Sequence, residues 1–158
     1  MAEIRFADER DTETILRFIR ALAEYEKLSD VCVADAESLR ESLFGLRSYA
    51  EVLLIEDPNG PQGFALFFHN FSTFLAKPGL YLEDLFVDPA QRGKGYGKAL
   101  LKRLAEIAVD RGCGRLEWSV LDWNKPSIDF YLSLGAKPMD EWTIYRLEGD
   151  SLTGLARS

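Results

Sequence analysis

Apolar and polar residues alternate from Glu3 to Ala7, the period of a short, half-buried strand. From about Glu9 to Glu26 the period becomes helical. Ile15, Leu16, Ile19, Leu22 and Ala23 fall on one face, and Asp8 or Asp11 is placed to cap the first turn. Tyr25 and Glu26 close this helix, either as an ordinary solvated end or as a rim over a substrate site. A shorter helix starts at Asp35, turns Leu39, Leu43 and Phe44 inward, and stops at Gly45. SYAEVLLIE (48–56) and GFALFFHN (63–70) read as antiparallel strands around an Asp57–Pro61 turn. Phe71 to Gly79 is a loop or a strand extension, with Pro78-Gly79 as a breaker, and residues 80–87 form the next strand. Leu100, Leu101, Leu104, Ile107 and Ala108 are the buried face of a helix ending at Arg111-Gly112. RLEWSVL (115–121) is another strand, Lys125-Pro126-Ser127 opens a helix carrying Tyr131, and WTIYRL (142–147) is a closing strand before a short tail. The order β-α-α-β-β-β-α-β-α-β predicts an α/β fold: a single mixed, twisted central sheet with helices on both faces, as one domain over residues 1–158. The helix between the 80–87 and 115–121 strands makes that pair parallel.

One stretch stands apart from this alternation. After Asp88-Pro89 ends the strand comes Arg92-Gly93-Lys94-Gly95-Tyr96-Gly97, then a helical pattern from near Lys98. Three glycines let the backbone turn with its N–H groups pointing inward, and the helix start adds unpaired amides and a positive dipole end. With Arg92, Lys94 and Lys98 alongside, the stretch is built to hold an anion, best a phosphate chain. It is not a P-loop, because position 92 is arginine where a glycine is needed and Ala99 stands where Ser or Thr is needed. It is not the dinucleotide fingerprint either, since the third glycine would fall on Lys98 or Leu100. What fits is R-x-x-G-x-G.

Composition narrows the partners. A chain of 158 residues buries a proper core, and 47% hydrophobic with 28% charged residues is ordinary for a soluble globular protein. A net charge of −7 argues against nucleic acid and suits a cationic small molecule. Cys32 and Cys113 read as reduced thiols, and no Cys/His cluster has metal-ligand spacing, so no metal is expected. MAEIRFADERD lacks the apolar core of a signal peptide and no run reaches membrane-spanning length; the expectation is a cytoplasmic protein with no membrane partner.

Two positions carry candidate chemistry. Glu83 and Asp84 are adjacent carboxylates inside an apolar strand, so they should point to opposite faces, unless a bulge re-aims one of them. Buried carboxylates are costly, which suggests that these two serve the chemistry. Glu83 would be a general base, directly or through water, for an ammonium substrate, and Asp84 an attractor of that cation. A structural pair satisfied by backbone amides or basic side chains is the other reading. Tyr131 could return a proton to a departing thiolate or could simply pack at helical spacing. His69, set among aromatics, reads as a packing or surface residue.

The R-x-x-G-x-G loop after a strand and opening a helix resembles the acyl-CoA signature of the GNAT N-acetyltransferase superfamily. Asp122-Trp123-Asn124, Pro126-Ser127 and Asp129-Phe130-Tyr131 with Leu134-Gly135-Ala136 resemble its last cofactor-binding motif. LYLEDLFV, RGKGYGKALL, VLDWN and DFYLSLGA together are most similar to the diamine acetyltransferase branch that acts on thialysine and related small amines. The resemblance implies acetyl-CoA as co-substrate and direct transfer to a primary amine in a ternary complex. It implies that residues Arg92 to Lys98 grip the pyrophosphate, that Leu85 and Val87 offer backbone groups to pantetheine, and that Asn124 bonds the same arm. It implies Tyr131 as general acid, Glu83 and Asp84 lining the amine site, and a homodimer. The polyamine enzymes of this branch carry an acidic residue in the loop before the strand, where this chain has Ser72-Thr73-Phe74; a small amine therefore fits better than a long polyamine. Two rivals remain: a protein or peptide N-acetyltransferase, and a non-catalytic acyl-CoA-binding module.

Overall fold

The computed structural model describes residues 1–158, which divide into two compact units, Met1–Leu121 and Asp122–Ser158. The first holds strands β1 (Glu3–Phe6), β2 (Glu51–Asp57), β3 (Gly60–Ser72), β4 (Lys77–Val87) and β5 (Leu116–Trp118), and helices α1 (Thr12–Tyr25), α2 (Ala36–Phe44) and α3 (Tyr96–Asp110). The strands form one sheet in sequence order, antiparallel throughout except that β4 and β5 are parallel, as a helical crossover requires.

The helices form where the sequence gives them caps and an apolar face. Asp8 and Asp11 make a reciprocal capping box around the 3₁₀ turn Glu9–Asp11, from which α1 continues. Asp35 caps α2 by accepting from the amide of Ser38 at 2.8 Å. On one sheet face Ile15 and Phe18 of α1 and Leu43 of α2 pack with Val52, Leu54, Phe64 and Phe86, and the Phe18 and Phe64 rings stack 5.7 Å apart. Strand alternation turns Leu53, Ala65, Phe67, Leu80 and Leu82 to the other face, where α3 buries Leu100, Leu104 and Ile107. Each of these Leu and Phe side chains contributes about 1.5–3 kcal/mol on leaving water.

Several expected boundaries move. The 71–79 stretch is strand on both sides of a tight turn, with Ser72 opposite Lys77, so β3 and β4 form one long hairpin. Pro78 sits inside β4 opposite Phe71 and still offers its carbonyl, which accepts from Gly114 at 2.9 Å; one missing N–H does not end a strand held by many cross-strand pairs. α3 begins at Tyr96, two residues before the expected Lys98, because Gly95 supplies the left-handed turn and Gly97 is simply helical. β5 keeps only Leu116–Trp118 of the expected 115–121.

The second unit holds α4 (Lys125–Ser133) and α5 (Gly149–Ala156), and neither helix buries a residue. The expected closing strand at 142–147 is not a strand. Trp142, Ile144 and Tyr145 are 77%, 79% and 92% exposed, and these residues pair with no other strand. Alternation makes a segment able to pair; only a neighbouring strand that takes its N–H and C=O groups makes it one. The tail expected after it is helix α5 instead, so the chain ends in a helix.

Candidate active site

The glycine loop connects β4 to α3. Asp88 closes the strand and caps the 3₁₀ turn Pro89–Gln91, its Oδ1 accepting from Ala90 N at 2.9 Å. Gly93 and Gly95 then take φ of +84° and +80°. A Cβ at either would meet nothing within 4 Å, so backbone conformation alone demands glycine there. The amide of Arg92 donates to Pro89 O at 3.3 Å and that of Ala99 to Gly95 O at 3.0 Å. Between them the amides of Gly93, Lys94, Gly95, Tyr96, Gly97 and Lys98 donate to no backbone acceptor, and α3 has no side-chain cap. Six consecutive donors at the positive end of a 15-residue helix match the oxygens of a diphosphate, and a Cβ-free loop allows its close approach. The residues present therefore fit the diphosphate of coenzyme A.

β4 presents the carboxylates, and a bulge decides how. Leu66 pairs with Asp84 but the next residue, Phe67, pairs with Leu82, which leaves Glu83 as an extra residue. Leu82 belongs to the α3 face. Phe86, two residues after Asp84, belongs to the α1 face, and so does Leu66 opposite Asp84. The inserted residue thus brings Glu83 and Asp84 to the same face, the one covered by α1, where alternation predicted opposite faces. Glu83 is exposed and Asp84 partly buried.

Glu26, which caps the C-terminal end of α1, joins them. Burial, then the charge of Glu83, then that of Glu26 push the Asp84 carboxyl up to about 6. Burial and then Glu83 also raise Glu26. No hydrogen-bond donor and no basic side chain offsets either shift. Glu26 and Asp84 are therefore carboxyls raised by burial and by neighbouring negative charge, with no counter-charge among the causes. Tyr25, the last residue of α1, lies under the Arg92 guanidinium at 5.0 Å, so the helix end also touches the glycine loop. The sequence held no signal for that contact, since nothing in the spacing of the two residues pairs them.

Leu85 and Val87 pair with Ala65 and Gly63 of β3, whereas β5 accompanies β4 only from Leu80 to Leu82. From Glu83 to Val87 the far edge of β4 has no strand neighbour. Its backbone groups there are available to an extended ligand arm.

Asn124 and Tyr131 belong to the second unit. Asn124 is 5% exposed and caps α4, its Oδ1 accepting from Ser127 N at 3.4 Å. Tyr131 is partly buried on α4, its ring 5.7 Å from that of Phe130. His69 is exposed and lies 3.4 Å from Arg111, which is salt-bridged to Glu51 at 2.6 Å; this is a surface ion cluster. Cys32 and Cys113 are both free thiols. No helix is long and apolar enough to cross a membrane.

Comparison with known proteins adds identity to this geometry. The signature of the acetyltransferase (GNAT) family matches residues 9–136. A thialysine N-epsilon-acetyltransferase of Bos taurus is 42% identical over 97% of this chain and 96% of its own. An L-ornithine N5-acetyltransferase of Arabidopsis thaliana is 34% identical over 98% of this chain and 87% of its own. Among solved structures, an integron cassette protein from the mobile metagenome of V. cholerae superposes with a TM-score of 0.84 at 31% identity, covering 99% and 98% of the two chains.

Proposed function

The chain belongs to the GNAT acetyltransferase family and is an acetyltransferase, and from that premise we propose that it moves an acetyl group from acetyl-CoA to a primary amine of a small molecule, with residues 1–158 acting as one domain. The observation that carries the acceptor class is the cluster of Glu26, Glu83 and Asp84 on the α1 face, without a basic partner. A primary amine arrives as an ammonium and must lose a proton before it can attack. Asp84 and Glu26 hold the cation, and Glu83, the exposed member, takes the proton directly or through water. The relatives named for thialysine and for ornithine support a compact amino-acid-like amine over a long polyamine.

Acetyl-CoA supplies the activated acetyl group as a thioester. On this chain the amides of residues 93–98 with Arg92, Lys94 and Lys98 would hold its diphosphate. The open edge at Leu85 and Val87 would hold its pantetheine arm. Tyr131 would return a proton to the departing thiolate. Positioning both reactants in one complex provides much of the acceleration.

A panel of thialysine, ornithine, lysine, putrescine and spermidine, followed by release of free CoA thiol, tests this function. Faster turnover of the amino acids than of spermidine is expected. Turnover only of peptides would favour a protein acceptor, and CoA binding without amine-dependent thiol release would favour a silent binding module. The protein is further proposed to be a cytoplasmic homodimer. The exposed Trp142, Ile144 and Tyr145 support a second copy covering them. Sedimentation at micromolar concentration should give twice the 17.9 kDa chain mass.

A further inference from the structure

The facing ends of β2 and β3 lie outside every motif described above, yet they grip the glycine loop at both ends. At the near end the amide of Asp88 donates to the carbonyl of Gln62 at 2.8 Å. At the far end the hydroxyl of Tyr96 donates to Oδ2 of Asp57 at 3.1 Å. The two gripping residues are tied to each other, since Gln62 Nε2 donates to Oδ1 of Asp57 at 3.1 Å, and Gln62 is 8% exposed. The amide of Asn59 donates to the same Oδ1 at 2.8 Å. These bonds, that of Asn59 first, and then the charge of Lys94 hold the Asp57 carboxyl below its ordinary range.

An anion beside a loop that receives a diphosphate is unfavourable for ligand charge. Its presence calls for another explanation, and the hydrogen bonds supply one. Residues 89–95 include two glycines at positive φ, the conformation with the most freedom to lose. Pinning the segment at Asp88 and again at Tyr96 removes much of that freedom before a ligand arrives. We infer that Asp57, with Gln62, is a positioning residue for the diphosphate loop: it acts through the Tyr96 hydroxyl to hold the amides of residues 93–98 in their receiving geometry.

The inference rests on the proposed diphosphate role of the loop, and the test separates the two. Acetyl-CoA is compared with acetyl-pantetheine, which has the thioester and arm but no diphosphate. The wild-type protein should prefer acetyl-CoA; equal use of both donors would remove the diphosphate role and the positioning role with it. Asp57→Ala should raise the KM for acetyl-CoA roughly 3- to 10-fold, the loss of one or two hydrogen bonds, with kcat within about 2-fold. Its kcat/KM for acetyl-pantetheine should stay within about 2-fold of wild type. Tyr96→Phe, which removes one oxygen and keeps the ring, should raise the KM for acetyl-CoA in the same direction and add little in the Asp57→Ala background. A KM for acetyl-CoA that is unchanged or lower in both variants would overturn the inference while leaving the diphosphate role intact. Equal losses with both donors in both variants would overturn it too, by showing a general fold defect.

Discussion

Glu83 and Asp84 share one face of the sheet because β4 carries one more residue than β3 between the Leu82–Phe67 and Asp84–Leu66 pairs. Adjacent residues of a regular strand cannot do this. The bulge places Glu83 where its charge acts on both Asp84 and Glu26.

The two members should differ in kinetics. Glu83→Gln is expected to lower kcat by about 10²-fold with little change in the KM for acetyl-CoA, the usual scale for a lost general base. Asp84→Asn is expected to act mainly on the KM for the amine. Steady-state kinetics with both substrates varied checks the split; the reverse pattern would exchange the roles.

Asp84 should cost stability at neutral pH. Its carboxyl has an ordinary value of 3.8 and is raised to about 6 in the folded protein. Between those values the folded state binds the extra proton, so the stability it contributes is present below about 4 and lost as the pH rises through 6. Asp84→Asn removes the burden of the buried charge. The variant should be more stable than wild type by about 2–3 kcal/mol at about pH 7.5 and nearly equal at about pH 4. Urea denaturation at the two pH values measures the difference, and an unstabilised variant at the higher pH would refute it.

Gly95→Ala should weaken coenzyme binding without a steric clash. At φ of +80° an L-residue is strained by about 1–2 kcal/mol, although its Cβ would have open space. Relief of that strain would rotate the amides at the start of α3. Calorimetric titration with CoA should show a Kd raised roughly tenfold. Gly97→Ala is the control: Gly97 is helical and its Cβ would only touch Val87 at 4.0 Å, so binding should change less.

Ala76→Gly should stabilise the protein. Ala76 closes the turn of the long hairpin at φ of 53°, a left-handed conformation that glycine adopts without strain. Against glycine's larger entropy loss the net gain should be about 0.5–1 kcal/mol, read from the urea midpoint. Acetyltransferase activity should not change.

Local order along the chain dictates which segments can be helix or strand and where the backbone must turn between β4 and α3. Periodicity and caps are local, so α1, α2 and α3 lie within a few residues of where they were expected, and the glycine pattern announces the sharp turn into α3 from its own letters. A crossover helix dictates the parallel β4–β5 pair wherever it occurs. Whatever depends on a neighbour is set only in the folded chain. Residues 71–72 and 77–79 are strand because two long segments pair on either side of the turn, despite Pro78, and 142–147 is not strand because nothing in this chain pairs with it. The common face of Glu83 and Asp84 depends on an unequal residue count between two strands, which only their register reveals. The contacts of Arg92 with Tyr25 and of Asp57 with Tyr96 join residues far apart in the chain. Such contacts depend on how the folded backbone places each side chain in space, and linear order carries no trace of that.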